Sequence, residues 1–156
     1  MFNDPISLKK FVFGGNAILT AKSLKTNKHF TFKFKKAGGH DWPFVSVLKE
    51  NGKYDYIGMI GTDLKFRFTK KSKLSQNHIK VQALEYIAKI LTSNGIPNNI
   101  ELRHNNKCGK CGRKLTHPRS VDIGFGPECE NRNENSIWTI WRNNEKGRWS
   151  LSQVWS

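Results

Sequence analysis

The chain has 156 residues, 37% of them hydrophobic and 12% aromatic, which suits one ordinary domain and excludes global disorder. Its 27 Lys and Arg against 12 Asp and Glu leave a formal charge of +15, which excludes an acidic mimic of nucleic acid. Such a balance points to a polyanionic partner, with nucleic acid ahead of an anionic membrane or an acidic protein surface.

In chain order, "MFNDPISLKKFVF" holds no apolar run long enough for a signal peptide, and no later stretch approaches membrane-spanning length. The first seventy residues read as strands. "AILTAKS" leads through a turn at Lys25-Thr26-Asn27-Lys28 into "HFTFKFK", where Phe30, Phe32 and Phe34 alternate with Thr31, Lys33 and Lys35. Strict alternation is the mark of a half-buried antiparallel strand. "FVSVL" (44–48) and "YDYIGMI" (54–60) flank Glu50-Asn51-Gly52-Lys53, and Asn-Gly between two such runs predicts a hairpin. "LKFRF" then sets Leu64, Phe66 and Phe68 against Lys65 and Arg67. A meander of about five strands accounts for all of this.

Over residues 76–94 the period changes. Val81, Leu84, Ile87, Ala88 and Leu91 form one helical stripe, with Ser75 or Asn77 as cap and Gly95 and Pro97 as stop. The helix is expected to lie across the Phe face of the sheet. A short strand, "NIELR", leads into the cysteine segment. At the end, residues 136–156 hold four of the five tryptophans and read as a hairpin turning at Glu145-Lys146-Gly147. The expected fold is α+β: a basic β-meander with one packed helix over 1–97, a treble-clef-like zinc module over 98–135, and a Trp-rich hairpin over 136–156.

All three cysteines lie in "CGKCGRKLTHPRSVDIGFGPEC". Three cannot all pair, and their spacing is that of metal ligands, so a reducing, intracellular setting is expected. Cys108-Gly-Lys-Cys111 followed by Gly112 has the form of a zinc knuckle, in which a turn aims backbone amides at the sulfurs. Downstream, Gly126, Pro127 and Glu128 form a helix start. Cys129 is thereby placed in the first turn, where the dipole favours a thiolate. Knuckle, loop and helix-borne third ligand make the plan of a treble-clef site for one zinc ion. Of the five histidines, His29, His40 and His78 have ordinary strand, loop and helix-start readings. His104, His117 and a bound water compete for the fourth place.

The same segment resembles the Cys-x-x-Cys-Gly-Arg-x-Leu-Thr-x-x-x-Ser…Gly-x-Gly-Pro-x-Cys stretch of a family of small proteins of unknown function. These are carried mostly by bacteriophages and other mobile elements. "NAILTAKSLKTNKHFTFKFKK", "PFVSVLKENGKYDYIGMIG" and "TKKSKLS" are similar to what precedes that stretch, so the resemblance runs over roughly residues 14–130. Members often carry a His four residues before the first Cys and a non-ligand at the position of His117. The resemblance therefore implies His104, Cys108, Cys111 and Cys129 as the zinc ligands, a phage origin and a place in the host cytoplasm. It implies no activity, and the Trp-rich tail departs from it.

Four protein ligands close a zinc site and make it structural. No HExxH, P-loop or nucleophile elbow is present, and Asp41, Asp55, Asp63 and Asp122 are scattered, so an enzyme with a small-molecule substrate is not expected. The expected activity is nucleic-acid binding, DNA or RNA, without strong sequence specificity. Residues 1–75 hold 15 basic and 5 acidic residues, against 12 and 7 in the remainder, so the field is strongest over the strands. The candidate contacts are Lys33, Lys35, Lys65, Arg67, Lys70, Lys71 and Lys73, which would follow a phosphate backbone. In the tail, Trp138, Trp141, Trp149 and Trp155 beside Arg142 and Arg148 suit stacking on unpaired bases. The alternative is an anti-defence inhibitor of the anti-CRISPR type, binding a host nuclease complex or its guide RNA. No membrane partner is expected.

Overall fold

The computed structural model describes residues 1–116, 121 and 123–126. Eight elements follow in order: α1 (Pro5–Val12), β1 (Asn16–Ser23), β2 (His29–Lys35), β3 (Phe44–Leu48), β4 (Tyr54–Ile60), β5 (Phe66–Phe68), α2 (Ile79–Leu91) and β6 (Ile100–His104). The strands form one antiparallel sheet in the order β5-β4-β3-β2-β1-β6. The class is α+β and the meander is the predicted one, with a sixth strand added. "NIELR" was expected to lead only into the cysteine segment. Instead β6 pairs along the outer edge of β1, from Ser23 opposite Ile100 to Leu19 opposite His104.

The turns form as their residues dictate. Between β3 and β4, Gly52 takes φ 82 and the Asn51 side chain accepts from the Lys53 N–H at 3.0 Å. Between β1 and β2, Asn27 takes φ 60 and donates its N–H to the Ser23 carbonyl at 2.8 Å. Two boundaries differ from expectation. The last meander strand starts at Phe66 rather than Leu64, because Leu64 sits at φ 66 in a turn closed by its N–H on the Gly61 carbonyl. The second helix is capped by neither Ser75 nor Asn77 but by His78, whose Nδ1 accepts from the Lys80 N–H at 3.1 Å.

Among the described residues a second helix, α1, precedes the meander, where none was expected. Asp4-Pro5 is a helix start: Pro5 presets the first turn, and the Asp4 carboxylate accepts from the Ser7 N–H at 2.9 Å and the Ser7 hydroxyl at 3.0 Å. The lack of a long apolar run, which excludes a signal peptide, says nothing of this short capped helix. Leu8, Phe11 and Val12 of α1 are buried.

The core occupies one side of the sheet. Paired residues share a face, so Ala17, Leu19, Ala21, Phe30, Phe32, Phe34, Val45, Val47 and Leu102 all point the same way. Against them pack Val81, Leu84, Ile87, Ala88 and Leu91, the stripe read from the helical period, together with Ile90. Helix α2 begins beside Ala21, Phe30 and Ile100, and its far end faces Leu64 and Phe66. Its thirteen residues span roughly 20 Å at 1.5 Å per residue, close to the width of the sheet. Each fully buried Leu, Ile or Phe contributes about 1.5–3 kcal/mol to this association.

Candidate functional site

Beyond β6 the chain turns at Asn106 (φ 62), and Lys107 pairs with Lys114 in an antiparallel bridge. Across this small hairpin the Leu115 N–H donates to the Asn106 carbonyl at 2.7 Å, and the Cys108 N–H donates to that of Arg113 at 2.8 Å. The Gly112 N–H returns to the Cys108 carbonyl at 3.0 Å with φ 77, the left-handed turn for which glycine is suited. Cys108 to Cys111 thus form the hairpin tip. The Cys108 sulfur accepts from the Lys110 N–H at 3.4 Å and from the Gly126 N–H at 3.5 Å. Burial by itself raises the Cys108 thiol. The backbone N–H groups of Cys111, Gly126 and Lys110, with the Cys111 side chain, outweigh it and hold the thiol below its ordinary value. Cys108 is buried and Cys111 exposed. Amides aimed at a thiolate, with a second thiol beside it, are chemically a fit for zinc.

The knuckle is packed into the rest of the fold. Asn16 donates its backbone N–H to the Gly109 carbonyl at 2.7 Å and its side-chain amide to that of Lys110 at 2.8 Å. The Gly109 N–H in turn donates to the Gly124 carbonyl at 2.8 Å. At Gly14 a Cβ would lie 2.6 Å from the Gly109 carbonyl oxygen, so the approach of these two segments requires glycine. Cys108, Leu115 and Phe125 belong to the same core cluster as the strands and helices.

His104 lies on the core face of β6, opposite Leu19, between the rings of Phe2 and Phe11. Both its nitrogens are engaged by backbone. Nδ1 accepts from the Asn106 N–H at 2.9 Å, and Nε2 donates to the Val121 carbonyl. Desolvation lowers its pKa; the Val121 bond opposes this and the chain's amino terminus adds to it. A neutral ring that donates at one nitrogen and accepts at the other has no lone pair left, so His104 ligates a metal only by giving up one of these bonds. Among the described residues no three His, Cys, Asp or Glu side chains gather as a metal-binding group. Cys129 and His117 lie outside the described residues.

The second candidate is the sheet face opposite the core. There Asn16, Ile18, Thr20 and Lys22 of β1 stand beside His29, Thr31, Lys33 and Lys35 of β2. Phe44, Ser46 and Leu48 of β3, Tyr54, Tyr56 and Met59 of β4, and Arg67 of β5 continue it. Among the described residues, α1 and α2 both pack on the core face and neither lies over this side. Lys22, Lys33 and Lys35 form no ion pair among the described residues, and the Lys33 ammonium lies 5.5 Å from the Tyr54 ring centroid. Arg67 is committed elsewhere: it holds the Asp63 carboxylate through two bonds of 2.9 and 2.7 Å. That guanidinium keeps the Asp63 carboxyl below its usual range. Lys65 is exposed just before β5, and Lys70, Lys71 and Lys73 are exposed just after it. The Lys73 N–H donates to the Tyr56 carbonyl at 2.9 Å, which draws this basic turn along β4. Trp138, Trp141, Arg142, Arg148, Trp149 and Trp155 lie outside the described residues.

The described part is therefore an antiparallel α+β protein with a cysteine knuckle docked at one end of its sheet. Over residues 102–133, from the middle of β6 through all three cysteines, the chain matches a family of unknown function (DUF6011). No curated protein and no solved structure matches the chain. Among the described residues no helix is long and apolar enough to cross a membrane.

Sequence reasoning found the lysines of the open face and passed over its aromatic residues. Phe44, Tyr54 and Tyr56 had been read as strand formers without a facing. The signal was there: the period that turns Val45 and Val47 inward turns Phe44 outward. For β4 the irregular register between Val45 and Ser46 hides the facing of the tyrosines.

Proposed function

We propose that this chain is a small basic protein that binds nucleic acid along the open face of its sheet, mainly through the phosphate backbone. Zinc at the cysteine knuckle holds the C-terminal segment in place. The observation that carries the reading is the pairing of Lys33 and Lys35 on a sheet face that neither helix covers, in a chain of net charge +15. A face of this kind attracts phosphate by counterion release and carries no base-reading helix, so weak sequence preference follows. Zinc would be held by Cys108, Cys111 and Cys129, where it would supply folding energy. The resemblance to mobile-element proteins offers His104 as fourth donor and a phage origin. Because both ring nitrogens of His104 are in use, the proposal rests on the sulfurs before the imidazole.

The test is binding to single- and double-stranded oligonucleotides across a salt series. Affinity is expected to fall steeply with salt. The double variant Lys33→Gln/Lys35→Gln is expected to flatten the log–log slope by about 1.4–1.8, near 0.7–0.9 per phosphate contact. No binding at low salt would sink the proposal. Capture of a host nuclease complex from a nuclease-treated lysate, without oligonucleotide binding, would transfer the reading to an inhibitor of host defence.

A further inference from the structure

The open face is not uniform. Its β1–β2 half is what a solvated antiparallel face needs: Thr20 and Thr31 share a hydrogen bond of 2.9 Å, flanked by Lys22 and His29. Its β3–β4 half presents Phe44, Tyr54 and Tyr56, three rings that solvation does not explain. All three are half-buried, and they lie on the side of the sheet away from the core.

The lysines of β2 flank these rings along one side. Phe44 pairs directly with Lys35, and Ser46 lies between Lys33 and Tyr56 in one cross-strand row. The rings are also braced. Thr69 donates its hydroxyl to the Tyr56 oxygen at 3.2 Å, and Phe44 and Tyr56 lie with centroids 6.3 Å apart. Just before β3, His40 and Trp42 stack at 4.3 Å and 27°, with the His40 ring edge-on to Phe44 at 5.7 Å. The Trp42 Nε1–H is enclosed and finds no acceptor among the described residues, where ring contacts hold that side chain.

Resting on the nucleic-acid reading above, we infer that the β3–β4 half of the face takes an unpaired strand, with bases stacked on Phe44, Tyr54 and Tyr56 and phosphates on Lys33 and Lys35. A duplex hides its base faces within the stack, whereas an unpaired strand offers them. Rings flanked by cations set a place for bases beside a place for phosphates, and a purely electrostatic face would have no use for the rings. DNA and RNA share this chemistry.

The test uses the full chain and fluorescently labelled oligo(dT) and oligo(U) of about 12 nucleotides, within the site size of one small sheet domain. A mixed-sequence duplex of the same length is the control. Tyr54→Leu and Tyr56→Leu keep apolar bulk and remove the ring. Each is expected to weaken single-strand binding about tenfold and leave duplex binding within about twofold. Similar losses with both oligomers would make the site indifferent to sugar, and a loss confined to one would assign it to that nucleic acid. Unchanged single-strand binding in the ring variants, with loss in Lys33→Gln/Lys35→Gln, would overturn the inference and leave the nucleic-acid reading intact. Loss in neither would bring down that reading itself. Should the ring variants change the oligomeric state in sedimentation without changing single-strand affinity, the face is a protein interface and the inference falls. Photocrosslinking of the unsubstituted protein to thiouracil-containing oligomers gives a check free of folding effects. Adducts are expected on residues 40–59, and adducts confined to other segments would refute the site.

Discussion

Strands β1 to β3 send Ala17, Leu19, Ala21, Phe32, Phe34, Val45 and Val47 to one side and Thr20, Thr31, Lys33, Lys35, Phe44 and Ser46 to the other. The first set is sealed by α1 and α2 and includes Leu19, Phe32, Phe34 and Val45 at full burial. The second set obeys the same period of two but mixes hydroxyls, cations and a large ring. Packing explains every residue of the first set. On the second, solvation accounts for the hydroxyls and the lysines but not for the Phe44 ring, and the search for function belongs there.

Substitutions on the two faces should separate stability from binding. The largest effect is expected from Phe34→Ala, which removes a ring from the sealed face and should cost about 3–5 kcal/mol in denaturant unfolding. The surviving folded fraction should bind nucleic acid with unchanged affinity. A binding loss beyond that fraction would mean the two faces are coupled. Next comes the metal. One zinc per chain is expected by elemental analysis, and Cys108→Ser or a chelator should remove it with a fall in thermal midpoint, because Cys108 is part of the sealed core. Loss of zinc in His104→Ala but not in His117→Ala would place His104 in the shell. The reverse would leave His104 as the clasp between Asn106 and Val121.

The smallest effect concerns the edge of the open face. Asp63→Asn frees Arg67 and removes a negative charge, so nucleic-acid affinity should rise by a few fold, with stability changed by less than about 1 kcal/mol. The pH dependence has a defined sign. Asp63 is held below its usual 3.8, so its pairing stabilises the fold above that value and is lost as pH falls through it. The small stability gap between the unsubstituted protein and Asp63→Asn should close in acid. A gap that widened there would show that the pair is not the source.

Most of the fold was legible in the sequence because it rests on local periodicity. The alternation at 29–35, the Asn51-Gly52 turn and the stripe from Val81 to Leu91 each declare themselves within ten or so residues. What stayed hidden depends on partners distant in sequence. Nothing in "NIELR" itself says that it will pair with β1, and nothing near Gly14 says that residue 109 will press against it. Helix α1 is the exception, since its Asp4-Pro5 cap was local and simply not weighed. For the site, the cysteine spacing was legible, whereas the use of both His104 nitrogens by backbone was not. That use arises from Asn106 and Val121 meeting across a turn.

The placement of β6 also bears on how the chain is made. β1 is among the first elements to leave the ribosome, yet its outer edge has no partner until Ile100–His104 follows. At about 5–20 residues per second, that edge stands open for several seconds after the meander has emerged. An unpaired edge is a template for a neighbouring nascent chain. A product ending before residue 100 would keep it open permanently and leave Leu102, Cys108 and Phe125 missing from the core. In this protein the last described strand of the sheet closes the first, so termination before residue 100 leaves an aggregation-prone edge rather than a shorter working chain.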